Sequence, residues 1–200
     1  PIPPSLDYDF DKLTDPNSYN VERAKKLLDE AGWKDTDGDG IRDKDGKPLQ
    51  LDFVVYNSRD ELPLYAEAVQ ADEKKVGIDV KIKTVDYNLI DKMGINGEYD
   101  LLISNITTAA TGDPQSYLNQ YWHSNVDGSN PQNGSGYSNP EVDAKLDALN
   151  VEFDPAKRRQ LIVEIEQLYL NDAASLFLGY PYTNIVSSKK IKNAIMHPAD

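Results

Sequence analysis

Two alternating apolar runs with a helix-length segment between them constrain this chain more than any other feature. Leu49, Leu51, Phe53 and Val55 recur at every second residue, and Ile78, Val80 and Ile82 repeat the pattern. The stretch from about Asp60 to Val76 reads as a helix, with Leu64, Ala68, Val69 and Ala71 placed inward and Gly77 ending it. Strand, helix and strand with short joints form a βαβ unit, so the two strands are expected to be parallel, with a right-handed crossover. Val54 fills the slot where a polar residue would face solvent, which predicts cover on both faces of that strand. The fold class that follows is α/β, with a mixed, mainly parallel sheet and helices on both faces.

The flanking segments fit the same plan. Pro1 to Tyr19 is rich in Pro, Asp and Tyr and reads as an extended segment covering a surface. Asn20 can cap a helix whose Val21, Ala24, Leu27, Leu28 and Ala31 share a face and which Gly32 stops. A short helix is expected at Tyr87–Met93, an Asn96-Gly97 turn after it, and a third strand at Leu101–Asn105. Asp113-Pro114, Asn139-Pro140 and Asp154-Pro155 each pair a capping side chain with proline in the first turn. They predict helices running from there, the last two to about Leu149 and Leu170. Ser124 to Ser138 reads as a long Asn/Gly/Ser loop, and Leu176 to Val186 as a last strand before Lys189-Lys190. With no repeat and no linker composition, the 200 residues are expected to form one α/β domain.

Composition removes whole classes of function. The absence of cysteine rules out disulfides and thiolate metal sites. A net charge of −13, from 21 basic and 34 acidic side chains, repels phosphate backbones and anionic lipid, so no nucleic-acid partner is expected. No apolar run approaches the roughly 18 residues of a membrane-spanning helix. His123 and His197 stand apart from any Ser or Cys motif, so a catalytic triad is not expected. There is no glycine-rich phosphate loop. The opening PIPPSLDYDF has neither an initiator methionine nor a signal-peptide pattern, and reads as the start of a piece of a longer protein.

Some residues do point to binding. Asp35, Asp37, Asp39, Gly40, the Ile41 carbonyl and Asp43 match the ligand and glycine spacing of a calcium loop, in which alternate side chains of a tight turn aim at one centre. Gly46 stands where the bidentate glutamate belongs, and a strand follows rather than a helix. Calcium, if held, is expected to be structural and weak, at about 10⁻⁴–10⁻³ M. The competing reading is a turn of solvated charges. Tyr56, Tyr117 and Tyr137 offer apolar area with a polar tip, as ligand clefts often do, and half-buried packing residues are the plainer alternative. Arg59, just past a strand end, could meet a carboxylate or simply open a helix on the surface.

Seven segments in order along the chain carry a family resemblance: YNVERAKKLLDEAGW, DGDGIRDKDGKPLQL, YNSRDELPLYAEAVQADEKKVGIDVKI, GEYDLLIS, GDPQSYLNQYW, GYSNPEVDAKLD and DPAKRRQLIVEIEQLYLNDAASLFLGYP. Together they resemble the extracytoplasmic solute-binding proteins of family 5, the dipeptide, oligopeptide and nickel type that serve ABC importers. The resemblance implies a periplasmic-binding-protein-like lobe, the C-terminal one of two that close on a ligand. It implies an extracytoplasmic location, periplasmic or as a cell-surface lipoprotein. The implied partners are a small-molecule solute, the first lobe of the same full-length chain and a membrane permease. It places ligand contacts at Tyr56, Asn57 and Arg59 after the first strand and at Asn105, Thr107, Thr108 and Thr111 after the third. The loop NITTAATG lacks the aspartate with which peptide binders hold an α-amine, and the histidine of nickel-type relatives. Its neutral groups suit a peptide-like or other small polar solute, or a metal chelate. Asp113 reads as a helix cap. No chemical step is implied. The rival readings are a hydrolase working through paired carboxylates and a calcium-dependent structural or adhesive module.

Overall fold

A computed structural model describes residues 2–181 and 186–193. Its contacts divide into two compact units, each with its own apolar core.

The unit of Asn17–Ile106 with Pro131–Ser135 holds the sheet. Helix α1 (Val21–Glu30) starts where the Asn20 side chain accepts the Arg23 amide. The short strands β1 (Asp43–Lys44) and β2 (Lys47–Pro48) pair antiparallel. Asp45 (φ 53°) and Gly46 (φ 73°) join them, both left-handed as a tight two-residue hairpin requires. Strand β3 (Gln50–Tyr56) then pairs in parallel with β4 (Asp79–Val85) on one side and β5 (Leu101–Leu102) on the other, in the order β4-β3-β5. Phe53, Val54, Val55 and Tyr56 are all buried, so this central strand is covered on both faces as Val54 implied. Helix α2 (Glu61–Lys74) crosses from β3 to β4 and packs on both. It buries Leu62 and Ala66, with Val69 half-buried, whereas Leu64, Ala68 and Ala71 face solvent. The inward face is therefore rotated from the one read in the sequence, because Leu62, Ala66 and Val69 form the i, i+4, i+7 stripe that meets the sheet. A 3₁₀ turn (Tyr87–Leu89) leads into α3 (Ile90–Asn96), and Gly97 (φ 63°) caps that helix rather than forming a separate turn.

The other unit, Pro1–Pro16, Thr107–Asn130 and Gly136–Asp200, is helical among its described residues. It contains α4 (Gln115–Trp122), α5 (Pro140–Val151) and α6 (Pro155–Asn171). Asn139 caps α5 by accepting the Glu141 and Val142 amides, and Asp154 caps α6 by accepting those of Ala156 and Lys157. Trp122 of α4 stacks on Tyr169 of α6 with ring centroids 3.7 Å apart, beside Leu118, Leu146 and Ile165. The N-terminal segment lies along α6. Ile2 is buried and donates its amide to the buried Glu166 carboxylate, and Thr14 and Gln167 exchange two hydrogen bonds.

Two expected strands differ. The third is regular only at Leu101–Leu102, although the Ile103 amide still bonds the Val54 carbonyl. The expected strand at 176–186 is irregular chain over residues 176–181, where Leu176 is exposed; residues 182–185 and His197 lie outside the described residues.

Candidate functional site

Parallel strands β3 and β5 are neighbours, so the segments leaving their C-terminal ends emerge at one edge of the sheet, where α/β folds bind ligands. Tyr56 ends β3. Its ring is buried and meets Tyr87 edge-on at 5.1 Å, and its hydroxyl accepts the Asn105 amide at 3.0 Å. Tyr56 therefore supports the loop after β5 from beneath. Asn57 and Arg59 follow it and are exposed, and Arg59 forms no ion pair among the described residues. Asn105 is half-buried.

The remaining expected contacts belong to the helical unit. Thr107 and Thr111 are exposed and Thr108 is half-buried. Tyr117 packs against Tyr121 (5.2 Å) and Trp122 (5.8 Å), and burial raises its pKa. Tyr137 meets Tyr169 edge-on at 4.8 Å and donates its hydroxyl to Asp172 at 2.7 Å. Burial first, and then that hydrogen bond to the neutral phenol, raise the Tyr137 pKa. Both tyrosines thus serve the aromatic core around Trp122.

Thr111 opens onto a groove of about 680 Å³ that sequence reasoning missed. Its walls are carboxamides from Gln115 and Asn119 on α4 and Asn150 on α5, joined by Gln120 and Asn130, with the Ser116 hydroxyl and the Asp113 carboxylate. Asn119 and Asn150 exchange reciprocal amide hydrogen bonds at 2.8 and 3.0 Å, and Gln115 donates to Asn150 at 2.8 Å. Asp113 accepts the Gln115 amide through one oxygen and Arg158 through the other. It accepts the first amide of α4 from just before Pro114, and it is also an ion-pair partner, which its place in the sequence did not suggest. Arg158 organises this end of the unit: it also donates to Gln115 Oε1 and to the Leu149 and Glu152 carbonyls. The one signal available in the sequence was the i, i+4 spacing of Gln115 and Asn119.

The acidic loop is partly the expected one. Asp35, Asp37 and Asp39 each offer an oxygen within 4.8 Å of the others, and Gly38 (φ 84°) and Gly40 (φ 90°) permit the bend. Asp35 accepts the Gly38 and Gly40 amides, and Asp39 accepts that of Ile41. Asp43 departs from the expected set. Its carboxylate accepts the amide and hydroxyl of Thr36 at 2.9 and 2.6 Å, which hold its pKa below the usual carboxylate range. The missing twelfth-position ligand has a local cause too, because Asp45-Gly46 is the β1–β2 hairpin turn. Three carboxylates on a Gly-bent turn fit a hard cation; the ninth-position group does not join them.

The profile of the bacterial extracellular solute-binding proteins, family 5 (middle), matches residues 1–129. The chain belongs to that family. This family 5 chain is 31% identical over 195 residues to the oligopeptide-binding protein AppA of Bacillus subtilis, covering 90% of the chain and 33% of AppA. The solved structure of AppA with a nonapeptide superposes with a TM-score of 0.76 at 27% identity, over 87% of the chain and 34% of AppA. NikA from Brucella suis in complex with Fe(III)-EDTA gives 0.71 at 28% identity, over 86% and 34%. A mannohexaose-bound periplasmic oligopeptide-binding protein of Thermotoga maritima gives 0.70 at 32% identity, over 78% and 30%. The chain spans about a third of the length of the relatives it matches. The α/β architecture expected from the βαβ pattern is that of these neighbours.

Proposed function

We propose that this chain is a substrate-capture part of an ABC importer's solute-binding protein, and that it grips a small polar solute without changing it chemically. The observation that carries this reading is the convergence of two strand-end segments at one sheet edge: Asn57 to Arg59 after β3, and the loop from Asn105 whose first amide is anchored on Tyr56. A rigid strand end presenting exposed polar groups suits a pocket in which a few fixed hydrogen bonds orient a ligand. The relatives' bound molecules, a nonapeptide, a metal chelate and a hexasaccharide, are peptide-like or otherwise polar. The full-length protein works outside the cytoplasm, in the periplasm or lipid-anchored at the cell surface. There the rest of the chain closes over the ligand and a permease receives it. Native mass spectrometry of the full-length protein from its host tests the reading. A co-purified small molecule released unchanged on unfolding supports it; steady turnover of that molecule, lost on replacing a single carboxylate, sinks it in favour of a hydrolase.

We further propose that Asp35, Asp37 and Asp39 hold calcium in a structural role. The support is the convergence of their oxygens on a turn built from two positive-φ glycines. Melting temperature followed against calcium decides this: a rise over the millimolar range supports it, and a flat response removes it.

A further inference from the structure

We infer that the carboxamide groove beside α4 is a binding site for a neutral, hydroxyl-rich ligand of the oligosaccharide class. The inference rests on the solute-capture reading and names its ligand class. Ordinary small-molecule pockets are mostly apolar, with a few polar anchors. This groove differs in its residues: every one lining it carries a polar side chain. Its volume of about 680 Å³ is that of a site for several sugar rings or a drug-sized molecule.

Charge narrows the ligand class. Asp113 is the groove's one charged lining residue, and Arg158 neutralises it at 2.7 Å while the Gln115 amide takes its second oxygen. The guanidinium compensates the carboxylate's charge, so a free peptide ammonium finds no uncompensated counter-charge here. No aliphatic or aromatic residue is among those lining the groove. Hydroxyl groups, by contrast, both donate and accept, and so does a carboxamide.

The groove is also organised before any ligand arrives. The reciprocal Asn119–Asn150 pair and the Gln115–Asn150 bond fix three amide planes, and Asn130 donates both its amide hydrogens to the Asn119 and His123 carbonyls. Unmatched groups remain around this rigid frame. The Gln120 carboxamide and the hydroxyls of Ser116 and Thr111 have no hydrogen-bond partner among the described residues. Asn130 Oδ1 and one hydrogen each on Asn150 Nδ2 and Gln115 Nε2 are likewise unmatched. The unmatched groups of Gln115, Asn130 and Asn150 are held in place by the satisfied network, so they bind with little ordering cost.

The test uses the full-length protein and calorimetric titration with mannohexaose, maltohexaose, cellohexaose and xylohexaose, with tetra-alanine as the peptide probe. At least one hexasaccharide should bind. Ser116→Ala with Gln120→Ala should then weaken it about tenfold or more, the loss of two hydrogen bonds. These side chains hold nothing else, so the unliganded melting temperature should stay unchanged; Thr111→Val is the second variant should the pair disturb folding. A hexasaccharide that binds the variants as tightly as the parent overturns the groove as the site. Binding of tetra-alanine but of no saccharide overturns the ligand class and leaves solute capture standing. If neither probe binds and no small molecule co-purifies with the protein, the capture reading fails and this inference fails with it.

Discussion

Replacing Tyr56 by phenylalanine isolates the contact that ties the sheet to the loop after β5. The ring stays: it is 2% exposed and keeps its edge-on contact with Tyr87. One oxygen is lost, the one accepting the Asn105 amide at 3.0 Å. Removing an intramolecular hydrogen bond costs about 1 kcal/mol net, and an amide left unmatched in a part-buried place adds to that, giving about 1–2 kcal/mol. For a chain of this size, each kcal/mol lowers Tm by about 2–4 °C, so a drop of about 2–8 °C is expected. Thermal unfolding checks the magnitude, and amide hydrogen exchange checks its location. The Asn105 amide should exchange faster in the variant, while the amides of Val54 and Val55 in the central strand keep their protection. Truncation to alanine would instead open a cavity and cost about 3–5 kcal/mol, so Tyr56→Phe is the informative change. An unaltered Asn105 exchange rate would refute the argument that the hydroxyl holds this loop.

Other perturbations test the frame around the site. A Cβ on Gly134 would stand 2.5 Å from the Gly94 carbonyl oxygen, whereas one on Gly46 meets nothing within 4 Å and suffers only from φ 73°. Gly134→Ala should therefore cost about 2–3 kcal/mol and Gly46→Ala about 1 kcal/mol in urea unfolding, and the reverse order would contradict this geometry. Asp154→Ala removes the acceptor for two first-turn amides of α6 and should cost about 1 kcal/mol, read from the same transition. Burial is the largest influence on Glu166 and raises its pKa; the Ile2 amide is the smallest of the opposing influences. Its protonated form is thus favoured in the folded chain, and the associated stability is complete below about pH 4.3 and is lost as pH rises through the raised value. Glu166→Gln, which keeps an acceptor for Ile2, should be more stable than the parent near pH 7, with the difference shrinking as pH falls toward 4. A difference independent of pH would show that the carboxylate's charge is not what burial opposes.

The sequence revealed most where structure is decided locally. Asn20, Asn139 and Asp154 cap the helices they were expected to cap, because a short acceptor just before a proline or an apolar stripe satisfies the orphan amides whatever lies beyond. The parallel β3–β4 pair followed from a helix-length crossover too long for a hairpin. The inward face of α2 did not follow. Leu62, Leu64, Ala66 and Ala68 alternate, so two stripes a fraction of a turn apart are almost equally apolar, and only the sheet surface selects Leu62, Ala66 and Val69. Asp43 has contacts that the sequence did not show, for a similar reason. Its spacing from Asp35 suits a metal loop, but pairing with Thr36 and the entry into the hairpin both compete for the residue, and neither competitor appears in a spacing rule.

The candidate site divides along the same line. The place of Tyr56, Asn57 and Arg59 at the end of β3 was legible because strand ends are, and α/β sheets expose their ligand-binding loops beyond such ends. The carboxamide groove was invisible because its members, from Thr111 to Asn150, form no motif; they meet only when α4 and α5 dock. The residue that organises them is Arg158, which reaches back from the first turn of α6 to Asp113 and Gln115. In the sequence it is one of two adjacent arginines in a helix start, and nothing there separates it from its neighbour. In the fold Arg159 reaches the exposed Asp7, whereas Arg158 bonds two backbone carbonyls and two side chains at once. A guanidinium with its donors fixed in a plane can do this and an ammonium cannot, so Arg158→Lys should loosen the groove while Arg159→Lys leaves it intact.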